Sequence, residues 1–322
     1  MAHLSQPFSV IRGVTLRSYG WMNKASKYPS RDSRIVLAGT RGCGKTITLM
    51  QIADYCAAEG WVVLYVPNTM NWVNSSAPYQ YDARTRTFVQ PTIAHGTLKL
   101  FSTFNHQILA QLKLPADVVL DRTTVPAGAT LAALAERGVL EPSEAPEVFK
   151  LLLEQLQEQR EYPVLFAIDD FQALYHQSTY RDPSFNYIQA YHLSMPRLML
   201  EYASGLKSFR RGAVVGAVSM SNYAFQLPME LRDVLGLVPF RSSNIWAKRN
   251  PDYITYAQGL RREWVPPRMN VLEAAAMTEV WEHNEALHSK LTESLFMAKM
   301  AESSGNPREF LQHGLLKTAV TW

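Results

Sequence analysis

Apolar positions along the chain follow two rhythms. Unbroken apolar runs that stop at glycine, proline or acid read as strands buried on both faces. Such runs occupy 34–38, 61–67, 163–168 and 213–219, and a fifth lies near 262–266, before Pro266-Pro267. Helical spacing appears between them. Leu49, Ile52, Ala53 and Cys56 predict a helix over 46–58 that Gly60 ends. Further helices are predicted over about 95–113, 128–137, 143–160 and 197–208, and then over 271–284, 289–302 and 307–317. The stretch 68–94, crowded with Asn, Ser, Pro and Tyr, reads as irregular, and 175–197 reads as an inserted loop.

Strand, glycine loop, helix and strand make a βαβ unit, which demands a parallel sheet. The predicted fold is therefore α/β, a parallel sheet flanked by helices, with a C-terminal helical subdomain. The expected division is an N-terminal arm over 1–33, the α/β domain over 34–268 and the helical subdomain over 269–322.

The loop after the first strand carries the sharpest chemical signal. Gly39-Thr40-Arg41-Gly42-Cys43-Gly44-Lys45-Thr46 matches the phosphate-loop pattern G-x-x-x-x-G-K-[ST] and sits between a strand and a helix, the context that pattern requires. The glycines let successive N–H groups turn towards phosphate oxygens, and the helix start adds positive dipole. This pattern assigns Lys45 to the β- and γ-phosphates and Thr46 to Mg²⁺. Asp169, at the end of the third strand, stands where a carboxylate holds that Mg²⁺ through water, so Thr46 and Asp169 form the expected metal pair. Asp170 occupies the position of a water-polarising acid, one methylene shorter than the usual Glu.

Four other positions carry two readings each. Ser219, Ser221 or Asn222, where the fourth strand ends, either reaches towards the γ-phosphate or caps the strand. Arg308, in Gly305-Asn306-Pro307-Arg308, either bends back to the phosphates as a second sensor or simply opens a helix whose Pro307 suits the first turn.

Composition narrows the class. Of 322 residues, 47% are hydrophobic, enough for a sizeable core, and no apolar run approaches the ~18–20 residues of a membrane span. Net charge is only +4, but residues 1–31 lack acid while carrying Arg12, Arg17, Lys24, Lys27 and Arg31. Other basic pairs stand at Arg210-Arg211, Lys248-Arg249 and Arg261-Arg262, and such clusters serve either as solvated surface or as phosphate contacts. An acid-free start suits either an organelle-targeting segment or an arm packed on the nucleotide domain; with no spacer before the first strand, the arm is expected. Cys43 and Cys56 are unsuited to a disulfide, and neither Cys nor His shows metal-ligand spacing.

Four segments, LAGTRGCGKT, EGWVVLYVPNTMNWVNSSAPYQYD, LFAIDDFQAL and SGNPREFLQHGL, resemble the death-associated-protein family, and its fungal members most. The resemblance extends from SVIRGVTL at 9–16 to the C-terminus, and WVNSSAPYQYD is its most specific part, since generic P-loop proteins lack it. Members are GTP-binding proteins of the mitochondrial ribosomal small subunit with a STAND/AAA-like fold, and they usually carry a longer N-terminal extension. The resemblance implies a mitochondrial (matrix) location, contacts with small-subunit rRNA and neighbouring ribosomal proteins, no membrane, and a largely structural nucleotide. GTP rather than GDP or ATP comes from that resemblance alone, because no N-K-x-D guanine signature is present. The AAA-like geometry it implies places the base near Val10 to Arg12 and near the last helix. The competing reading is a STAND- or AAA-type switch that hydrolyses ATP or GTP. A small-molecule kinase is disfavoured because the lid region is a helical subdomain opening on GNPR.

Overall fold

The computed structural model describes residues 8–120, 123–220, 222–237, 246, 248–284, 286–287 and 292–316. Its centre is a five-stranded parallel sheet. The strands are β1 (Arg34–Ala38), β2 (Val62–Val66), β3 (Val164–Asp169), β4 (Gly212–Ala217) and β5 (Arg261–Trp264), in spatial order β5-β1-β4-β3-β2. Insertion of β4 between β1 and β3 pairs Leu37 with Ala217 and Ala217 with Asp169. The ends of the phosphate-loop strand and of the acidic strand therefore flank one central strand.

Alternation along these strands sorts their side chains onto two faces. Ile35, Leu37, Val63, Leu165, Ala167 and Val215 pack under two helices, α1 (Gly13–Ala25) and α2 (Lys45–Ala58), through Val14, Met22, Leu49, Ile52 and Cys56. Val36, Leu64, Val66, Phe166, Ile168 and Val214 face the opposite layer. That layer is built from α3 (Pro91–Leu109), α4 (Leu131–Leu140), α5 (Ala145–Glu158) and α6 (Ser194–Ala203). The outer edge of β2 is closed by a side chain: buried Asn105 on α3 accepts from the Val63 N–H at 2.8 Å and donates to the Val63 carbonyl at 2.9 Å. Cys43 and Cys56 are both free and buried.

Three segments differ from the sequence-based expectation. Residues 13–25 of the arm form a helix. The stretch 68–94 holds a short helix, Met70–Val73, and a hairpin, Gln80–Asp82 with Thr87–Val89, before α3 begins at Pro91. The expected inserted loop at 175–197 is a second hairpin, Gln177–Arg181 with Tyr187–Gln189, followed by α6 from Ser194. The hairpins escape a periodicity test because their strands are three to five residues long.

The chain then runs through α7 (Val271–His283) and α8 (Glu293–Glu302) to a last helix that opens at Pro307–Glu309 and continues in wider turns over Phe310–Leu315. These elements share a small core of Met269, Ala274, Trp281, Phe310 and Leu315. Among the described residues, no helix is long and apolar enough to cross a membrane.

Candidate functional site

The turn from β1 into α2 curls because Gly42 and Gly44 take left-handed backbone angles, with φ of 77° and 96°. A Cβ on Gly42 would meet Asn306 Oδ1 at 2.6 Å and Arg308 Cβ at 2.9 Å, so this glycine also lets the last helix seat directly on the loop. Two hydrogen bonds hold it there: Asn306 Nδ2 donates to the Arg41 carbonyl at 2.9 Å, and the Arg308 N–H donates to the Gly42 carbonyl at 3.2 Å. Asn306 also caps its own helix by accepting from the Arg308 and Glu309 N–H groups.

Lys45 folds back within the loop. Its buried Nζ donates to the Gly39 carbonyl at 3.0 Å and the Thr40 carbonyl at 2.8 Å, and lies 3.8 Å from Cys43 Sγ. Burial lowers its pKa, with the Cys43 sulfur and the Asp169 carboxylate acting in the opposite sense. Thr46 hydrogen-bonds the Asp169 side chain, which also accepts the Asp170 N–H at 2.9 Å. Burial raises the Asp169 pKa, while these two hydrogen bonds and Lys45 oppose the rise. A hydroxyl and a carboxylate held together in this way are hard oxygen donors of the kind Mg²⁺ takes.

Asp170 adopts a left-handed backbone, φ 53°, which aspartate tolerates better than bulkier residues do. Burial, then the neighbouring Asp169 charge, push its pKa up to about 6, against a hydrogen bond from Ser219 that lowers it. Ser219 thus points into the site. Asn222 does not line the cleft: its Oδ1 accepts the Ala224 N–H, and its Nδ2 lies 3.3 Å from Met70 Sδ. Ser221 lies outside the described residues.

The cleft beside the loop has a volume of about 410 Å³, within the ~300–1,000 Å³ range of small-molecule sites. One end is formed by Gly42, Gly44, Lys45 and Thr46, with Arg41, Arg308 and Ser219 around it. The other end is apolar and joins Phe8 and Val10 of the arm to Met277, Val280 and Trp281 of α7 and Leu311 of the last helix. Phosphate-loop geometry at one end and an aromatic, aliphatic slot at the other suit a molecule with a charged tail and a flat, weakly polar head.

The family resemblance draws attention to Val10 to Arg12 as neighbours of the base, but not to Arg12 as the residue that ties these walls together. Arg12 is 7% exposed. It donates through NH1 to the Cys43 carbonyl at 2.7 Å and through NH2 to the Arg268 and Pro266 carbonyls at 2.9 and 3.3 Å. Its Nε meets Glu273 Oε2 at 3.0 Å. Gln51 on α2 secures the preceding residues, donating to Ser9 Oγ at 3.0 Å and the Val10 carbonyl at 2.9 Å. The arm, the phosphate loop, the segment after β5 and α7 therefore meet at one guanidinium. The signal available was an arginine in an acid-free stretch, but nothing local distinguishes it from a solvated one.

A parallel sheet in the order β5-β1-β4-β3-β2, with a glycine-rich loop from β1 into α2 and an acidic end on β3, defines an α/β protein of P-loop NTPase architecture. A family model described as mitochondrial ribosomal death-associated protein 3 matches residues 9–313, and the chain belongs to that family. It is similar to the small ribosomal subunit protein mS29 of Schizosaccharomyces pombe, 28% identical over 65% of this chain and 45% of that protein. The mS29 of Bos taurus is 29% identical over 62% and 52%, and that of Neurospora crassa 25% over 94% and 66%. The chain thus spans between 45% and 66% of the length of these three relatives. Among solved structures it is similar to the Aeropyrum pernix ORC2 protein in its ADP form, with a TM-score of 0.41 and 13% identity over 95% of this chain and 62% of that one.

Proposed function

We propose that the chain is a structural component of the mitochondrial small ribosomal subunit. In this reading it holds a purine nucleotide, GTP by family resemblance, with Mg²⁺ in the cleft, chiefly as a clamp on the fold. The observation that carries it is the construction of that cleft from both ends of the described chain. Residues 8–12 form one wall, α7 and the last helix another, and the phosphate loop the floor. A ligand touching all three stabilises their assembly. At ~1,000 times its dissociation constant such a ligand adds about 4 kcal/mol.

The chain's own groups fit the assignment. Loop N–H groups and Lys45 supply positive charge for phosphates, and Thr46 with Asp169 supplies the oxygen pair for Mg²⁺, which would neutralise phosphate charge when bound. Arg308 and Arg41 stand at the rim. The hydrolytic side is weak by comparison, because Asp170 has the shorter reach of aspartate and shares its carboxylate with Ser219. Mitochondrial localisation and contacts with ribosomal RNA and proteins belong to the same reading, and the mS29 relatives support it.

Mass spectrometry of the nucleotide released from natively purified protein tests the assignment. Intact GTP with Mg²⁺ is the expected result. Recovery of a diphosphate alone would favour a turning-over switch and direct attention to Asp170 in single-turnover assays. The Lys45→Ala variant should lose the nucleotide, melt lower and enter small subunits poorly; unchanged melting and incorporation would defeat the clamp.

A further inference from the structure

The two hairpins that follow β2 and β3 pack on each other away from the cleft. The Tyr79 ring meets Tyr180 edge-on at 5.5 Å and Phe88 at 5.3 Å, and the Tyr79 hydroxyl donates to the Arg181 carbonyl at 2.6 Å. The Tyr180 hydroxyl donates to the Ala77 carbonyl at 2.7 Å. Beneath them lies a separate small core of Val73, Tyr180, Ile188, Leu193 and Phe225. The pair is therefore one rigid unit.

Its outward residues are unusual for a solvated surface. Tyr81 continues the ring chain from Phe88 at 5.1 Å and is exposed. Phe185 sits at the tip of the second hairpin, 77% exposed and held at φ 62°, a backbone that a bulky aromatic rarely adopts. Tyr187 is exposed beside it, with the Arg181 guanidinium 3.9 Å from its ring centre. Arg181 also donates to the Phe185 carbonyl at 2.9 Å and so braces the turn as well as the Tyr187 ring. Arg84 and Arg86 stand exposed on the first turn, with no ion pair among the described residues. The two aspartates present are turned inward to their own turns: Asp82 accepts from the Arg84 N–H and Thr85 Oγ, and Asp182 from the Ser184 and Asn186 N–H groups.

We infer that this hairpin pair is a docking platform for single-stranded RNA, with Tyr81, Phe185 and Tyr187 stacking on bases and Arg84 and Arg86 pairing with phosphates. Charge favours RNA over a protein partner, since Arg84, Arg86 and Arg181 are exposed together with the rings. No Val, Leu, Ile or Met is exposed anywhere in the two hairpins, where the exposed positions are rings, arginines, amides, hydroxyls and two turn residues, Ala83 and Pro183. Exposed rings set among cations fit unpaired bases and their backbone, and the two carboxylates that would repel phosphate are taken up by their own turns. The inference deepens the ribosomal reading by naming a surface for RNA, and it rests on that reading for its biological setting.

The test uses the full chain, with fluorescence anisotropy against a labelled oligouridylate of about 12 nucleotides and the same strand in duplex. The single strand should bind more tightly than the duplex. Each of Tyr81→Ala, Phe185→Ala and Tyr187→Ala should weaken it by about tenfold without lowering the melting temperature, since all three side chains are exposed. Arg84→Gln with Arg86→Gln should reduce the slope of log affinity against log salt by about 1.4. Affinity of the triple aromatic variant within about twofold of wild type would overturn the platform. A triple variant that kept its RNA affinity but dropped out of small subunits on sucrose gradients would overturn it as well and identify the face as a protein contact. Wild type that bound RNA through these rings yet never sedimented with mitochondrial small subunits would uphold the platform and remove the ribosomal setting.

Discussion

Replacement of Arg12 by alanine offers the most direct test of how the cleft is held together. The substitution removes a mostly buried ion pair with Glu273 and strips a charged donor from the carbonyls of Cys43, Pro266 and Arg268. Removing one partner of a buried pair costs about 3–5 kcal/mol, most of it the penalty on the charge left behind. Glu273 retains some relief here, because the Asn270 and Gly13 N–H groups also reach its carboxylate at 3.2 and 3.3 Å. We therefore expect the lower end, about 3 kcal/mol. Unfolding entropy of about 2.1 cal/mol/K per residue over 322 residues amounts to about 0.7 kcal/mol/K, so the melting temperature should fall by about 4–5 °C. Calorimetry reads this directly. A double-mutant cycle with Glu273→Ala should show the two losses to be less than additive by at least about 1 kcal/mol. A fluorescent GTP analogue should also bind the Arg12→Ala chain more weakly, because residues 8–10 would no longer be pinned against the slot. A melting temperature within about 1 °C of wild type would refute the assignment of Arg12 as the common anchor.

Three further outcomes follow from the packing. Gly42→Ala and Gly60→Ala both place a Cβ on a left-handed residue, with φ of 77° and 76°, at a backbone cost of roughly 1–2 kcal/mol, but only position 42 also meets Asn306 and Arg308. Thermal melts should therefore rank Gly42→Ala as clearly more destabilising, and equal losses would mean that the last helix is not seated on the loop. Asn105→Leu leaves the Val63 N–H and carbonyl unpaired at the sheet edge and should cost about 2–4 kcal/mol in urea titration, whereas a neutral result would contradict the capping of β2. Asp170 has a folded pKa of about 6, above its unfolded value near 4, so its ionised form opposes folding and the cost grows as pH rises through that interval. In metal-free buffer with chelator, Asp170→Asn should be more stable than wild type at pH 7.5, by about 1–2 kcal/mol after discounting for partial solvation, with the gain shrinking towards pH 5. A gain over wild type that is the same at both pH values would show that the carboxylate is not strained by its neighbours.

What the sequence disclosed depended on how locally each feature is encoded. β1 to β4 were legible because each is a short apolar run with a nearby stop, and the phosphate loop because its glycines and Lys45-Thr46 are contiguous. Helix α1 was hidden because its buried face includes Thr15 and Ser18, whose hydroxyls are satisfied by Gln51 and by the Val14 carbonyl, so its pattern looks polar. The two readings at the end of β4 parted for a similar reason. Ser219 and Asn222 are equivalent in sequence, and only the turn that follows β4 directs one to Asp170 and the other to Met70. Arg12 was illegible as an anchor because its partners lie 31, 254, 256 and 261 positions away.

Those same separations bear on why a ligand would matter to this fold. The contacts that close the cleft join residues 9–12 to Gln51, Cys43 and Glu273, and residues 306–308 to the loop at 41–42. Arg12 pins the first segment to the phosphate loop by one polar bond, and Asn306 and the Arg308 N–H pin the second by two, while Val10, Met277, Trp281 and Leu311 line the slot between them. Polar bonds of this kind contribute only about 0.5–1.5 kcal/mol each, or somewhat more where a charge is involved. Filling an apolar slot of this size contributes at about 25 cal/mol per Å² of surface removed from water, and does so on all its walls at once. In the proposed reading the bound nucleotide thus supplies hydrophobic contact to both segments at once. Loss of the base-binding slot should then loosen both ends of the chain together, a joint effect that hydrogen exchange on residues 9–12 and 307–315 can separate from damage to either end alone.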